Sequence, residues 1–346
     1  MNMREVCRHA LLVAVVMILA SATLYAGRPD KSGTAAASEL LIPVGGRYTA
    51  LAGASTATAF GVDAISWNPA GLSRSNKSAE ALFSHMSYIA DIGVEYFAVG
   101  AAFEGFGSIG VSLKTLSFGD MEITTETAPD GTGQTFSPTY VTIGLTYSRL
   151  LTDRISVGAT ANVVTERIDR VTASAFAFDF GVQYSSFANL GGLSIGLAVR
   201  NIGSSMQFSG SGLLIDATGT DLRRPASYYQ VEAQTDELPS VIELGVAYTY
   251  NVDDQNRLSL EGVFQNNNLS EDEYKLGLEY GFNNLFFIRG GYTFSEEYIA
   301  DAYPYGLTAG AGFKYSFTGI EVGVDYAYRD VQFFDANHTI ALRLAF

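Results

Sequence analysis

The sequence predicts an all-β protein, a transmembrane antiparallel β-barrel of about fourteen strands with an N-terminal hatch segment inside its lumen. Three observations predict it. From Ala79 to Phe346 the chain repeats, at intervals of roughly ten residues, the apolar/polar alternation of strands whose two faces meet different surroundings. The connections sort by parity, with tight turns after even-numbered segments and the long loops after odd-numbered ones. The last segment ends on an aromatic residue in full alternation, and the chain opens like a secretory leader.

The leader comes first. Arg4 and Arg8 precede an apolar run from Ala10 to Ala20, followed by Ala20-Ser21-Ala22 and Leu24-Tyr25-Ala26, either of which suits cleavage. Residues 1–26 are therefore expected to be a signal peptide. The run is short for a membrane helix, which needs about 20 apolar residues. Cys7 is the one cysteine and lies in this leader. The remainder has no disulfide framework and no thiolate chemistry. Residues 27–40 read as a polar linker with Gly and Ser.

Residues 41–78 form the expected hatch. Between Leu41 and Leu72 small residues dominate, Arg47 and Asp63 are the only charges, and the stretch ends Trp67-Asn68-Pro69-Ala70-Gly71-Leu72. Side chains this small cannot build a core of their own, but they pack well inside something larger.

The barrel is expected to occupy 79–346, with strands near 79–90, 92–103, 107–118, 139–150, 154–167, 173–187, 192–202, 240–251, 257–267, 273–283, 285–294, 306–317, 320–329 and 338–346. In the twelfth, Leu307, Ala309, Ala311, Phe313, Tyr315 and Phe317 alternate with Thr308, Gly310, Gly312, Lys314 and Ser316. In the last, Ile340, Leu342, Leu344 and Phe346 share one face, which resembles the assembly signal of outer-membrane barrels. Long connections at 119–138, 203–239 and 295–305 all follow odd-numbered strands. A soluble sandwich alternates too, but has no reason to sort its loops by parity. Closure is a physical demand, because hydrocarbon offers no partner to an open sheet edge. The 20 Tyr, 22 Phe and 36 Gly against 16% charged residues fit aromatic girdles and close strand packing.

The lumen face is expected to carry Asp179, Glu243, Glu261, Glu279, Glu321 and Asp325 with Arg200, Arg289 and Arg329, besides Lys275, Lys314 and Arg343. These groups form either a substrate path or a mutually neutralising network that supports the hatch. Lumen glycines (Gly110, Gly144, Gly158, Gly181, Gly277, Gly281, Gly310, Gly312, Gly323) leave room for the hatch or bend the wall. Asp120, Glu122, Glu126 and Asp130 share one loop, and Glu271-Asp272-Glu273 and Glu296-Glu297 repeat the theme. Such oxygens attract divalent cations, but none has the spacing of a calcium motif, and no metal or cofactor is assigned. Gly192-Leu193-Ser194-Ile195-Gly196 spells a nucleophile elbow, yet Ser194 lies inside an alternating strand and only His85 and His338 follow the leader. No catalytic residue is assigned, and a hydrolase stays a remote alternative. A net charge of −15 excludes a nucleic-acid footprint.

Gly46-Arg47, Ala50-Leu51-Ala52-Gly53-Ala54, Asp63-Ala64 and Trp67-Asn68-Pro69-Ala70-Gly71-Leu72 together resemble the N-terminal signature of PorV/PorQ outer-membrane proteins. The Asn-Pro-Ala element also resembles the hatch of the related FadL-type fatty-acid channels. Tyr48-Thr49 and Val62-Asp63 depart from the usual pattern. The resemblance implies a non-enzymatic bacterial outer-membrane barrel, a partner or shuttle in type 9 protein secretion. Its partners would be outer-membrane lipid, the barrel-assembly machinery, and secreted proteins or secretion-machinery subunits. The alternative is a FadL-like passive channel for hydrophobic small molecules such as long-chain fatty acids. Arg47, Gly53, Asp63, Trp67, Asn68, Pro69, Ala70 and Gly71 are the expected hatch motif. Asn68 and Pro69 would make its docking turn, with Arg47 and Asp63 pinning the segment by charge, or the same turn would move as a plug when a ligand binds.

Overall fold

A computed structural model describes residues 29–217, 227–295 and 305–346. The expected signal peptide and the Glu296-Glu297 pair lie outside them. Fourteen antiparallel strands close into one barrel in chain order. They are β1 (Ala79–Ser87), β2 (Gly93–Phe103), β3 (Gly107–Ser117), β4 (Thr139–Leu150), β5 (Ile155–Ile168), β6 (Val171–Ser185) and β7 (Leu193–Gly203). They continue as β8 (Val241–Asn251), β9 (Asn256–Asn267), β10 (Glu273–Phe282), β11 (Phe286–Ser295), β12 (Tyr305–Phe317), β13 (Ile320–Val331) and β14 (Asn337–Ala345). β14 pairs with β13 on one side and β1 on the other, with Phe83 opposite Leu342, so no edge is left open.

The strands match the alternation within a few residues at each end, and the differences have local causes. β1 stops at Ser87 because Ala90 and Asp91 take positive φ in the connection to β2. β6 begins two residues earlier than expected because Asp169, also at positive φ, lets the chain reverse over Asp169-Arg170 alone. The long connections carry short two-stranded ribbons, among them Leu214–Ala217 with Ser227–Gln230. The end with the tight turns is the periplasmic end, by the asymmetry of outer-membrane barrels.

Exposure is reversed relative to a soluble barrel. Along β6 the outward Phe176, Phe178, Phe180 and Val182 are exposed, while the inward Asp179 and Gln183 are buried. The same inversion puts Thr146, Thr160, Glu243 and Glu279 inside. Apolar groups face lipid and polar groups face the lumen.

The lumen is occupied by the N-terminal segment. It enters at the outer end, where Ala36 N–H donates to Glu237 O of the long β7–β8 connection. It leaves at the periplasmic end, where Ser78 N–H donates to Phe346 O. In between it folds as short helical turns over Ser38–Leu41, Gly46–Thr49, Gly61–Ser66 and Pro69–Arg74. The last residues of the stretch read as a polar linker are packed against the wall: Ala37 and Glu39 are buried, and Lys114 Nζ donates to Glu39 O and Ile42 O at 2.6 Å each. Val44, Val62, Ile65 and Leu72 form an apolar cluster with Leu82, Met86, Val94 and Tyr96 of the wall.

Glycines make the fit. A Cβ at Gly158 would meet the Pro69–Ala70 backbone, one at Gly196 the Thr56 carbonyl, and one at Gly291 the Leu51–Ala52 peptide. Of the expected lumen glycines, Gly110, Gly158, Gly181, Gly277 and Gly310 face the segment. Gly144, Gly281, Gly312 and Gly323 instead make room for wall side chains such as Asn162, Phe287, Arg289 and Arg343.

Candidate functional site

The site is the N-terminal segment and the lumen groups that hold it. Asn68 is fully buried and caps the turn that Pro69 begins, a position where the missing N–H of proline costs nothing. Its Oδ1 accepts from Ala70 N–H at 3.1 Å. Its Nδ2 donates to Thr56 O at 2.7 Å and to the wall carbonyls Val182 O and Leu197 O at 3.3 Å each. Gln183 of β6 reinforces the same point, donating to Thr56 O and Ala59 O. Ser148 of β4 donates to Ala70 O at 3.0 Å. Gly71 lies on the Ala59 carbonyl with no room for a Cβ.

Trp67 locks the preceding turn. Its Nε1 donates to Val44 O at 3.2 Å, and its ring meets Tyr48 edge-on at 6.2 Å. Gly53 has φ +77, and a Cβ there would stand 2.9 Å from the Trp67 ring. Conformation and space therefore both demand glycine.

The expected charges fall into two clusters rather than one network. Towards the periplasm, Glu279 accepts from Arg47 at 3.2 Å, Arg257 at 3.0 Å and Arg289 at 2.7 Å. Arg289 also reaches Asp325 at 2.5 Å, and Glu321 pairs with Arg343 at 3.4 Å. Beside the upper turns, Arg200 joins Glu243 at 2.6 Å and Ser66 O at 3.1 Å, while Thr56 Oγ1 donates to Glu243 at 2.9 Å. Asp179 accepts from Asn162 Nδ2 and from the N–H of Asn201, which has φ 60 where the β6–β7 register shifts. Glu261 takes the Thr58 hydroxyl, and Arg329, with no ion pair among the described residues, lies at the outer rim with its guanidinium 3.4 Å from the Tyr305 ring centroid. Arg47 thus carries an ion pair to the wall. Asp63 is buried with no ion pair among the described residues.

Above the segment lies a cavity of about 310 Å³. Leu41, Ile42, Trp67 and Tyr88 line it together with Lys114, Asp179, Arg200, Glu273, Lys275 and Arg329. Lys114 and Gln183 were missed as functional residues from the sequence. Their only signal was phase, since they share the lumen parity of Gly110 and Gly181.

Ile340, Leu342 and Phe346 are exposed on the lipid face of β14 and its end, with Leu344 half-buried between them. Ser194 is in β7, opposite Ala247 and Ser185, and the chain continues as that strand to Gly203 rather than turning into a helix.

A closed barrel with polar groups inside, apolar groups outside and residues 36–78 folded into the lumen defines a channel-like outer-membrane fold. Solved structures share it. The CymD monoaromatic hydrocarbon channel aligns with a TM-score of 0.52 at 12% identity over 88% of this chain and 98% of that one. The Pseudomonas putida toluene transporter TodX aligns at 0.51 and 12% over 85% and 96%. At such identity the likeness is one of fold. The family described as "Type IX secretion system protein PorV" matches residues 27–269, and the chain belongs to that family. It is a bacterial outer-membrane protein, and its family and fold are those of non-enzymatic secretion and transport barrels. No match was found among curated proteins.

Proposed function

We propose that this barrel serves type IX secretion as a closed partner of the machinery, presenting its outer surface to exported protein. In this reading the lumen carries no flux of hydrophobic molecules, and the Asn68 turn is a fixed anchor.

One observation carries the reading: the space left above the N-terminal segment is lined by six ionisable side chains of both signs. A site for an acyl chain or an aromatic hydrocarbon is mostly apolar, with few polar groups. Each of these charges would have to lose solvent or a partner to admit such a ligand. The outer connections support a protein partner, since Leu214, Ile215, Tyr228 and Tyr229 stand exposed on one ribbon.

Native mass spectrometry of the protein extracted gently from its own membrane tests this. Co-purifying secretion subunits or exported protein without a lipid-like ligand is the expected result. A stoichiometric fatty acid or other apolar molecule overturns it and makes the segment a gate.

A further inference from the structure

A smaller cavity of about 60 Å³ lies at the periplasmic end of the lumen. Arg47 and Phe60 of the N-terminal segment line it, with Arg257, Arg289, Lys314 and Arg343 of the wall and one carboxylate, Asp325, which is already paired with Arg289. Arg257 lies at the start of β9 and Lys314 near the end of β12, each beside a tight turn, while Arg343 comes near the end of β14. Arg257 and Lys314 keep about a third and a quarter of their side chains exposed, so the pocket reaches solvent.

Five cations here share three carboxylates. Glu279 takes Arg47, Arg257 and Arg289, Asp325 takes Arg289, and Glu321 takes Lys314 at 3.5 Å and Arg343 at 3.4 Å. Asp63 and Glu261 make no ion pair with any of them among the described residues. The Nε of Arg47 is buried with no hydrogen-bond partner. Aromatic rings fix the guanidinium planes: Arg47 lies 4.8 Å and Arg343 5.7 Å from the Phe60 centroid, Arg289 5.1 Å from that of Phe287. Gly312 and Gly323 leave Arg289 and Arg343 free to lie along the wall.

A surplus of oriented donors around a space of about two water volumes is the environment an oxyanion needs. We propose that this pocket binds one small oxyanion, a phosphate or carboxylate group, which bridges the N-terminal segment to the wall. Because Arg47 belongs to the segment and the other cations to the strands, a bound anion holds the segment in place by linkage.

The test is calorimetric titration of the full barrel in detergent micelles, at constant ionic strength, with sodium phosphate and separately with sodium acetate. We expect saturable one-to-one binding of at least one of them, with Kd near or below about 1 mM. Phosphate alone marks a tetrahedral anion and acetate alone a carboxylate end group, and either supports the site. Arg257→Gln should weaken binding by about tenfold or more. Arg149→Gln, which removes an exposed charge outside the lumen, should leave it unchanged. Lys314→Gln serves if Arg257→Gln fails to fold. No saturable heat with either anion, or binding that survives both lumen substitutions, overturns the proposal.

Discussion

Asn68 fills the space that a side chain at Gly181 would take, and its carboxamide donates hydrogen bonds to wall carbonyls of β6 and β7. Segment and barrel meet there through one polar group and one absent one. Asn68→Ala leaves the Ala70 N–H without its partner in a buried site and the Thr56 carbonyl held by Gln183 alone. The expected cost is about 2 kcal/mol of local stability. Hydrogen exchange at the amides of residues 61–74 should rise by about thirtyfold. Unchanged exchange would mean that the turn is held by packing alone.

Gly158→Val tests the absent side chain. A Cβ there meets the backbone of Pro69 and Ala70, which cannot move aside as a flexible side chain would. The segment should lose its seat while β5 still pairs, since valine suits a strand. Acrylamide quenching of Trp67, the one tryptophan, should rise severalfold with the compact unheated gel mobility of the barrel retained. If Trp67 stays protected, the glycines serve wall curvature only.

Glu279→Gln removes the shared partner of Arg47, Arg257 and Arg289. Glu279 and Arg289 are each 2% exposed, so that pair loses a charge that water cannot replace. Breaking a buried pair in this way costs about 3–5 kcal/mol. The temperature at which the barrel loses its compact gel mobility should fall by several degrees. No change would show that water reaches this cluster.

Lys114→Met releases the other end of the segment. The Nζ of Lys114 is the wall's hold on Glu39 O and Ile42 O, and methionine keeps the volume without the donors. Proteolysis within residues 29–44 should accelerate about tenfold, in keeping with the loss of about 1–2 kcal/mol. Trp67 protection should stay as it is, because the Asn68 turn is anchored separately. Parallel loss of both would make the segment one cooperative unit.

Much of this was legible beforehand because a barrel wall is periodic. A side chain's face is set by its parity, so the alternation through Thr308, Gly310, Gly312 and Lys314 identified lumen positions without any knowledge of contacts. Strand ends were less legible. The early stop of β1 depends on Ala90 and Asp91 in left-handed conformation, which neither residue announces. The pairing of lumen charges was hidden too. Glu279 and Arg289 face each other because β10 and β11 are in that register, and Arg47 joins them from 232 residues away.

The sequence by itself determined the barrel, its strand number, its orientation and the small-residue segment bound for the lumen. Each is a local pattern, carried by parity, turn length or side-chain size within a short window. Only the tertiary structure decided how the lumen is divided. The segment crosses it, separating a charged outer cavity bounded by Arg200 and Lys275 from an arginine-lined pocket at the periplasmic end. That division depends on which residues a closed cylinder brings face to face across its axis. Alternation along a strand records that a residue points inward, and carries no information about what it meets there.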